Sequence, residues 1–291
     1  MPSGLKERLG YLSPLDDVRL ARAVAMGVSR IQLRLGPGFP LATDRWDAGA
    51  VESARERLAG LGLTVAGIGY YRNHLHPDPA VRMADAAGLR VVFRIAATFN
   101  VGVVSVFAGR DPERSVEENL PMFREVWQPL AAEAHDVGLK LAFENCTMYR
   151  GYPVRGINIS HSPHAYALMF DTLPHPALGI EFDPSHCLKQ RIDVPAMIRQ
   201  FGGRILHVHL KDHEILPEAV QQYGSYDTRC SRDRFPGFGQ VDFAAMFRAL
   251  REVGYAGGFA LEGEADPSAA TEDELCARFR FSVEHLLAAW G

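Results

Sequence analysis

The chain is expected to fold as a single α/β domain, a closed (β/α)8 TIM barrel, and three observations predict it. Eight short apolar runs alternate with segments of helical periodicity from end to end. The runs are apolar nearly throughout, as strands of a parallel sheet buried on both faces are. The length of 291 residues accommodates eight such units in one domain. An open doubly wound sheet is the competing architecture, and a GxGxxG turn after the first strand would favour it. The glycine-rich turns LGPGFP (from Leu35) and FPGFGQ (from Phe235) do not fit that fingerprint. No low-complexity linker or composition break divides residues 1–291, so one domain is expected.

Taken in order, the predicted strands are RLGYL (from Arg8), RIQLRLG (Arg30), TVAGIGYY (Thr64), VGVVSVFAG (Val101), KLAFEN (Lys140), LGIEFDPSH (Leu178), ILHVHLKD (Ile205) and GGFALEGE (Gly257). Helical periodicity marks ESARERLAGLG, EENLPMFREVWQPLAAEAHDVG and DFAAMFRALREVG, each ending on a glycine suited to a helix C-cap. EDELCARFRFSVEHLLAAWG supplies a closing helix. Two connections are long, one after the fifth strand (146–163) and one after the seventh (212–240). Both should cover the C-terminal mouth, where barrels of this kind build active sites.

Composition narrows the function classes. Hydrophobic residues make up 47% and charged residues 23%, an ordinary globular balance. The 35 acidic residues exceed the 31 basic ones, for a net charge of −4, which weighs against a nucleic-acid partner. Cys146, Cys187, Cys230 and Cys276 form no CxxC pair, so neither a disulfide framework nor a zinc ribbon is indicated. The N-terminus lacks the apolar run of a signal peptide, and no apolar stretch reaches the ~20 residues of a membrane span. A soluble, cytoplasmic protein without a membrane partner is expected.

Chemistry concentrates at the strand ends. Glu144 closes KLAFE; a lone glutamate there is equally well read as a solvated terminus. Asp183 and His186 fall in EFDPSH, where D-P-x-H holds a carboxylate and an imidazole on one turn. His207, His209 and Lys211 alternate in LHVHLKD and so share one strand face. Glu262 and Glu264 share a face in FALEGE, with Glu264 nearer the rim and the solvent. Taken singly these signals are weak. Together they bring two glutamates, an aspartate and a histidine to the ends of four successive strands. That is an oxygen-rich set suited to one Mn²⁺, Mg²⁺, Co²⁺ or Zn²⁺, and a cation would explain how three carboxylates share one place.

These residues also carry a resemblance. AFEN (142–145), FDPSH (182–186), GGRILHVHLKD (202–212), RFPGFGQVDF (234–243) and ALREVGYAGGFALEGE (249–264) resemble the xylose-isomerase-like TIM-barrel sugar isomerases and epimerases. That family also includes endonuclease IV and inosose dehydratase, and the runs look most like its branch acting on 3-keto sugars or 3-keto glycosides. The resemblance implies one divalent metal, with Mn²⁺ favoured, on Glu144, Asp183, His209 and Glu262. It implies substrate contacts from His186 and Arg234, with Arg232 the alternative if the register of the preceding loop shifts. His207 would be an inward neighbour and not a ligand; with Lys211 it joins the residues expected around the substrate. Asn145 and Glu264 also lie in the matching motifs. A homodimer or homotetramer is implied as well.

The function so implied is a metal-dependent sugar epimerase or isomerase working through a cis-enediolate, with Glu144 and Glu262 as the two proton-transfer groups. The alternative is a lyase on the same site, a keto-inositol-type dehydratase or a glycoside-cleaving β-eliminase, with His186, His207 or Lys211 as the acid. An endonuclease IV-like nuclease needs further histidines. His74 and His76 could supply two, but Arg234-Phe235 stands where that family has Asp-x-His. A non-catalytic sugar-binding subunit would need no complete ligand set. Tyr70, Tyr71, Tyr149, Tyr152 and Phe238 are candidates for an apolar wall beside a sugar ring, Cys146 and Cys187 for the mouth lining, and Trp127 and Trp290 for helix packing.

Overall fold

A computed structural model describes residues 4–149, 155–263 and 271–291. Eight parallel strands close a barrel: β1 (Leu9–Ser13), β2 (Arg30–Leu35), β3 (Thr64–Tyr70), β4 (Val103–Val106), β5 (Lys140–Glu144), β6 (Leu178–Phe182), β7 (Ile205–Leu210) and, after two strands outside the barrel, β10 (Gly258–Leu261). Closure is made by β10 pairing with β1, Phe259 beside Leu9 and Leu261 beside Tyr11. A four-residue helix α1 (Leu5–Arg8) leads into β1. Helices α2 (Asp17–Ala25), α3 (Ala48–Gly60), α4 (Pro79–Thr98), α5 (Val116–Asp136) and α6 (Pro163–Thr172) fill the next five connections. β6 is followed by two helices, α7 (Pro184–Gln190) and α8 (Val194–Phe201).

Local sequence explains the helix limits. Asp16, Asp47 and Asp78 each accept a backbone N–H at their helix starts, and Ser115 with Glu118 forms a reciprocal capping box on α5. α5 ends before Gly138, whose φ of 74° is open to glycine at little cost. The main core lies between the strands and the helices. There Trp127 is fully buried, packs edge-on against Phe143 and His74, and donates its indole N–H to the Ala108 carbonyl at 2.9 Å. Its packing role is thus as expected, and His74 is sealed into the same cluster.

The segment 212–240, expected as one loop, contains structure of its own. β8 (Asp212–Ile215) pairs antiparallel with β9 (Ser231–Arg234), and α9 (Pro217–Tyr223) lies between them. The reason sits in Asp212: its carboxylate accepts N–H groups from Gly237, Gly239 and Val241, lashing the returning chain to the start of the ribbon. A Cβ at Gly239 would collide with the Asp212 carboxylate, which explains the second glycine of FPGFGQ. α10 (Phe243–Glu252) then leads to β10, and α11 (Glu272–Trp290) closes the chain. Among the described residues no helix is long and apolar enough to cross a membrane.

Candidate metal centre

Each expected ligand is delivered to the same end of the barrel. Glu144 is the last residue of β5, and its carbonyl accepts from the Asn158 amide and the Ser160 hydroxyl of the following loop. Asp183 follows β6 and caps α7 by accepting the Ser185 N–H. The turn expected in FDPSH is therefore the first turn of a helix. Asn145 ties the two strand ends together: its side-chain carbonyl accepts the Asp183 N–H at 2.7 Å and its amide donates to the Asp183 carbonyl at 2.8 Å. His209 is buried near the end of β7, and Glu262 follows β10. One ligand atom from each of Glu144, Asp183, His209 and Glu262 lies within 4.8 Å of the others.

The imidazole of His209 divides the site from the barrel interior. Its Nδ1 is 3.1 Å from Glu144 Oε1 and 3.2 Å from Glu262 Oε2. Its Nε2 points the other way, 3.0 Å from Glu181 Oε1 and 2.9 Å from Gln32 Oε1. Below it, Glu181 Oε1 accepts from the Gln32 amide and the Ser105 hydroxyl at 2.6 Å each and faces His207 Nδ1 at 3.1 Å. Glu181 Oε2 accepts from the Tyr71 hydroxyl at 2.8 Å. Gln32, Ser105 and Glu181 come from strands two, four and six, the alternate-strand layering of such barrels. Burial alone would raise the Glu181 carboxyl. The charge of His209 and its bonds with His207 and His209 outweigh that and hold it well below the usual carboxylate range.

The donor set fits a divalent cation. Asp183 Oδ2 and Glu262 Oε2 are buried with no hydrogen-bond partner, although the first lies 3.3 Å from His186 Nε2 and the second 3.2 Å from His209 Nδ1. Buried polar atoms left this way are rare without an ion or a water. Burial, with Glu262 and Glu144 nearby, pushes the Asp183 carboxyl up to about 8, even against the pull of Lys211. Burial also raises Glu144. Burial alone would lower the His209 imidazole, but Glu181, Glu144 and Glu262 together hold it well above its ordinary value. Negative charge is in excess here, and a cation held by the four residues would relieve it. His209 Nδ1 would face that cation, while Nε2–H remains on Glu181, a carboxylate–histidine arrangement that fixes ring and tautomer.

Around this centre lies a cavity of about 280 Å³. Lys211 lines it with its ammonium 2.9 Å from Glu262 and 3.6 Å from Asp233 of β9. His186 also lines it, with Nε2 3.3 Å from Asp183 Oδ2. Burial, aided by the Lys211 charge, lowers its imidazole to about 3 and keeps it neutral.

Several expectations are placed differently. His207 does not line the cavity with the substrate-facing residues; it lies beneath His209, bonded to Glu181, as the inward neighbour expected. Arg234 and Arg232 both bind Glu214 on the ribbon and neither lines the cavity, whereas Arg34 of β2 does. Tyr71 and Tyr149 line the cavity, but Tyr70 turns its hydroxyl outward towards Gly88 of α4 and Phe238 packs on Phe281. Cys146 lines the mouth, but Cys187 is sealed against Met197. Glu264 and Tyr152 lie outside the described residues. The sequence reading missed Glu181, Gln32, Asp233 and Arg34. The available signal was a charged or amide side chain inside an otherwise apolar strand, as in LGIEF and RIQLRL.

Comparison with known proteins agrees with this architecture. The family described as xylose isomerase-like TIM barrel matches residues 20–280. An inosose dehydratase from Clostridium tetani is 28% identical over 181 residues, 60% of this chain and 60% of that protein. The alignment thus spans about three fifths of the relative's length. The crystal structure of the 3-keto-D-glucoside 4-epimerase from E. coli superposes with a TM-score of 0.71 at 16% identity, covering 97% of this chain and 99% of that one. A xylose isomerase-like TIM barrel protein from Mycobacterium smegmatis, in complex with magnesium, superposes with a TM-score of 0.68 at 17% identity, covering 94% and 89%. At these identities the structural likenesses establish the fold alone.

Proposed function

The chain belongs to the xylose isomerase-like TIM barrel family, and on that premise we propose that it is a divalent-cation-dependent enzyme that epimerises or isomerises a keto sugar or 3-keto glycoside. The observation that carries this reading is the convergence of Glu144 and Glu262 on one imidazole nitrogen, His209 Nδ1, with Asp183 completing the set. When bound, Mn²⁺ or Mg²⁺ would supply Lewis-acid stabilisation of negative charge on the substrate oxygens. The protein's own groups do the rest. One glutamate takes the proton from the carbon beside the ketone, and the C–H electrons move into a C=C bond as the carbonyl π electrons move to oxygen, giving an enediolate. The other glutamate, protonated from solvent before the turnover, delivers that proton to the opposite face of the same carbon, which inverts it; delivery to the neighbouring carbon interconverts aldose and ketose. The Lys211 ammonium counters charge on Glu262, and neutral His186 offers a hydrogen bond to a substrate hydroxyl.

The dehydratase likeness favours a second reading on the same residues: the enediolate expels a β-hydroxyl, with the Lys211 ammonium supplying its proton. Proton NMR in deuterated water with keto sugars, 3-keto glycosides and keto-inositols, each with Mn²⁺, separates the two. Deuterium entering the α-position with the carbon skeleton and all oxygens retained supports epimerase or isomerase; loss of water supports the lyase. Glu144→Gln and Glu262→Gln should each lower exchange by about 10²–10⁴-fold while the cation still binds. Full activity in either variant sinks the two-glutamate mechanism.

A further inference from the structure

We propose that a second cavity, opening beside the candidate metal centre, is a subsite for a carboxylate or phosphate group carried at the far end of the substrate. The inference deepens the reading above and rests on it. The second cavity has a volume of about 370 Å³ and shares Thr147, Tyr149 and Lys189 with the first. Among the described residues its walls hold three cations, Arg110, Lys189 and Arg191, and no acidic residue.

These cations are not neutralised locally. Among the described residues, no carboxylate lies within ion-pair distance of any of the three. Several arginines elsewhere on the surface are paired with a carboxylate, as Arg90 is with Glu133, Arg199 with Glu252 and Arg229 with Asp227. Arg110 is held by the Arg114 carbonyl, which accepts from its Nε and Nη2, and Asp111 and Glu117 act on it only at a distance. Lys189 lies over the Tyr149 ring at 5.0 Å, which fixes its stem at the junction of the two cavities. Arg191 stands at φ 60°, a left-handed conformation that arginine adopts at a cost and that here ends α7. His161 adds a buried Nδ1 with no partner.

One helix sets the spacing. α7 begins at the Asp183 cap, presents His186 to the first cavity a turn later, and presents Lys189 to both cavities after another turn. Six residues at 1.5 Å per residue place Lys189 roughly 9 Å along the axis from Asp183. Arg110 and Arg191 line only the second cavity, so a ligand that reaches them from the metal centre extends past Lys189, as a glycoside with a charged aglycone or a sugar phosphate can. Three like charges around a low-dielectric recess attract such an anion strongly, and the binding energy of this remote group becomes available to the reacting end.

The test is calorimetric binding of two unoxidised, non-reacting probes to the Mn²⁺-loaded protein: phenyl β-D-glucoside and its 4-carboxyphenyl counterpart. The carboxylate should bind about tenfold tighter in 20 mM salt, and the advantage should shrink several-fold at 0.5 M as charges are screened. Arg110→Ala and Arg191→Ala should each erode that ratio, and Arg191→Glu should reverse it, with thermal midpoints confirming folded variants. The corresponding glucoside 4-phosphate, compared in the same titration, tells a phosphate site from a carboxylate site. Equal affinities for neutral and charged probes in the unaltered protein, or binding of neither, overturn the subsite. In that event, persistence of Mn²⁺ binding and α-proton exchange leaves the proposed reaction standing, and their absence counts against the reaction itself.

Discussion

Glu181→Gln tests whether the barrel interior tunes the candidate metal centre. Glu181 Oε1 sits among four donors or rings, the Gln32 amide, the Ser105 hydroxyl, His207 and His209, while among the described residues Oε2 meets only the Tyr71 hydroxyl. A glutamine can place its oxygen in the crowded position and its amide against Tyr71, whose hydroxyl accepts as well as donates. The substitution therefore keeps shape and most hydrogen bonds but removes the negative charge behind His209 Nε2. Loss of such an outer carboxylate typically weakens metal binding by about 10–100-fold, or about 1.4–2.7 kcal/mol at 1.36 kcal/mol per tenfold. Tyr71→Phe, which deletes one bond to Oε2 and leaves the charge, should change affinity by less than about threefold. Mn²⁺ titration calorimetry reads both, with thermal unfolding as the control for an intact fold. Unchanged Mn²⁺ affinity in folded Glu181→Gln would refute the coupling between the interior carboxylate and the site.

The pH dependence has a definite sign. The Asp183 carboxyl is raised in the folded protein to about 8 and the His209 imidazole well above its ordinary value. Stability from each is fully present below its unfolded value, about 3.9 and 6.5 respectively, and is lost as pH rises through the folded value. Protein stripped with EDTA should thus lose thermal stability between pH 6.5 and 8, where both groups hold their protons longer in the folded protein than in the unfolded chain, and Mn²⁺ should restore it; a midpoint that rises over this window contradicts the assignment. Because these groups must shed protons to ligate, Mn²⁺ affinity should also increase with pH and binding should release protons, measurable in buffers of different ionisation enthalpy. Trp127→Ala removes a fully buried indole and should cost about 3–5 kcal/mol in urea unfolding; a loss below about 1 kcal/mol would show that the cluster collapses around the gap. Gly239→Ala drives a Cβ against the Asp212 carboxylate and should destabilise by about 1–3 kcal/mol, with protease cleavage appearing first in 212–240. Unaltered proteolysis would show that the Asp212 lashing does not hold the mouth.

The barrel was legible because its signals are local. Strand runs, helix caps such as Ser115 with Glu118, and terminal glycines such as Gly138 act over a few residues, so reading along the chain finds them. The expected metal set was legible for the same reason, since each member sits at the end of its own strand and parallel strands put those ends together. The ribbon of Asp212–Ile215 with Ser231–Arg234 was not, because its register depends on Asp212 capturing N–H groups 25 to 29 residues onward. Nor could sequence say that Arg234 would turn to Glu214, a choice made by that register.

By itself, then, the sequence determined the eightfold alternation, the single domain and the four acidic and imidazole groups that end successive strands, since each follows from spacing within one element. Tertiary structure alone decided what stands behind them. Gln32 and Glu181 are 149 residues apart, and Ser105 and Glu181 are 76. Only closure of the barrel makes them one layer beneath His209. A buried carboxylate is tolerable there because that closure surrounds it with donors, and no window of sequence contains them all.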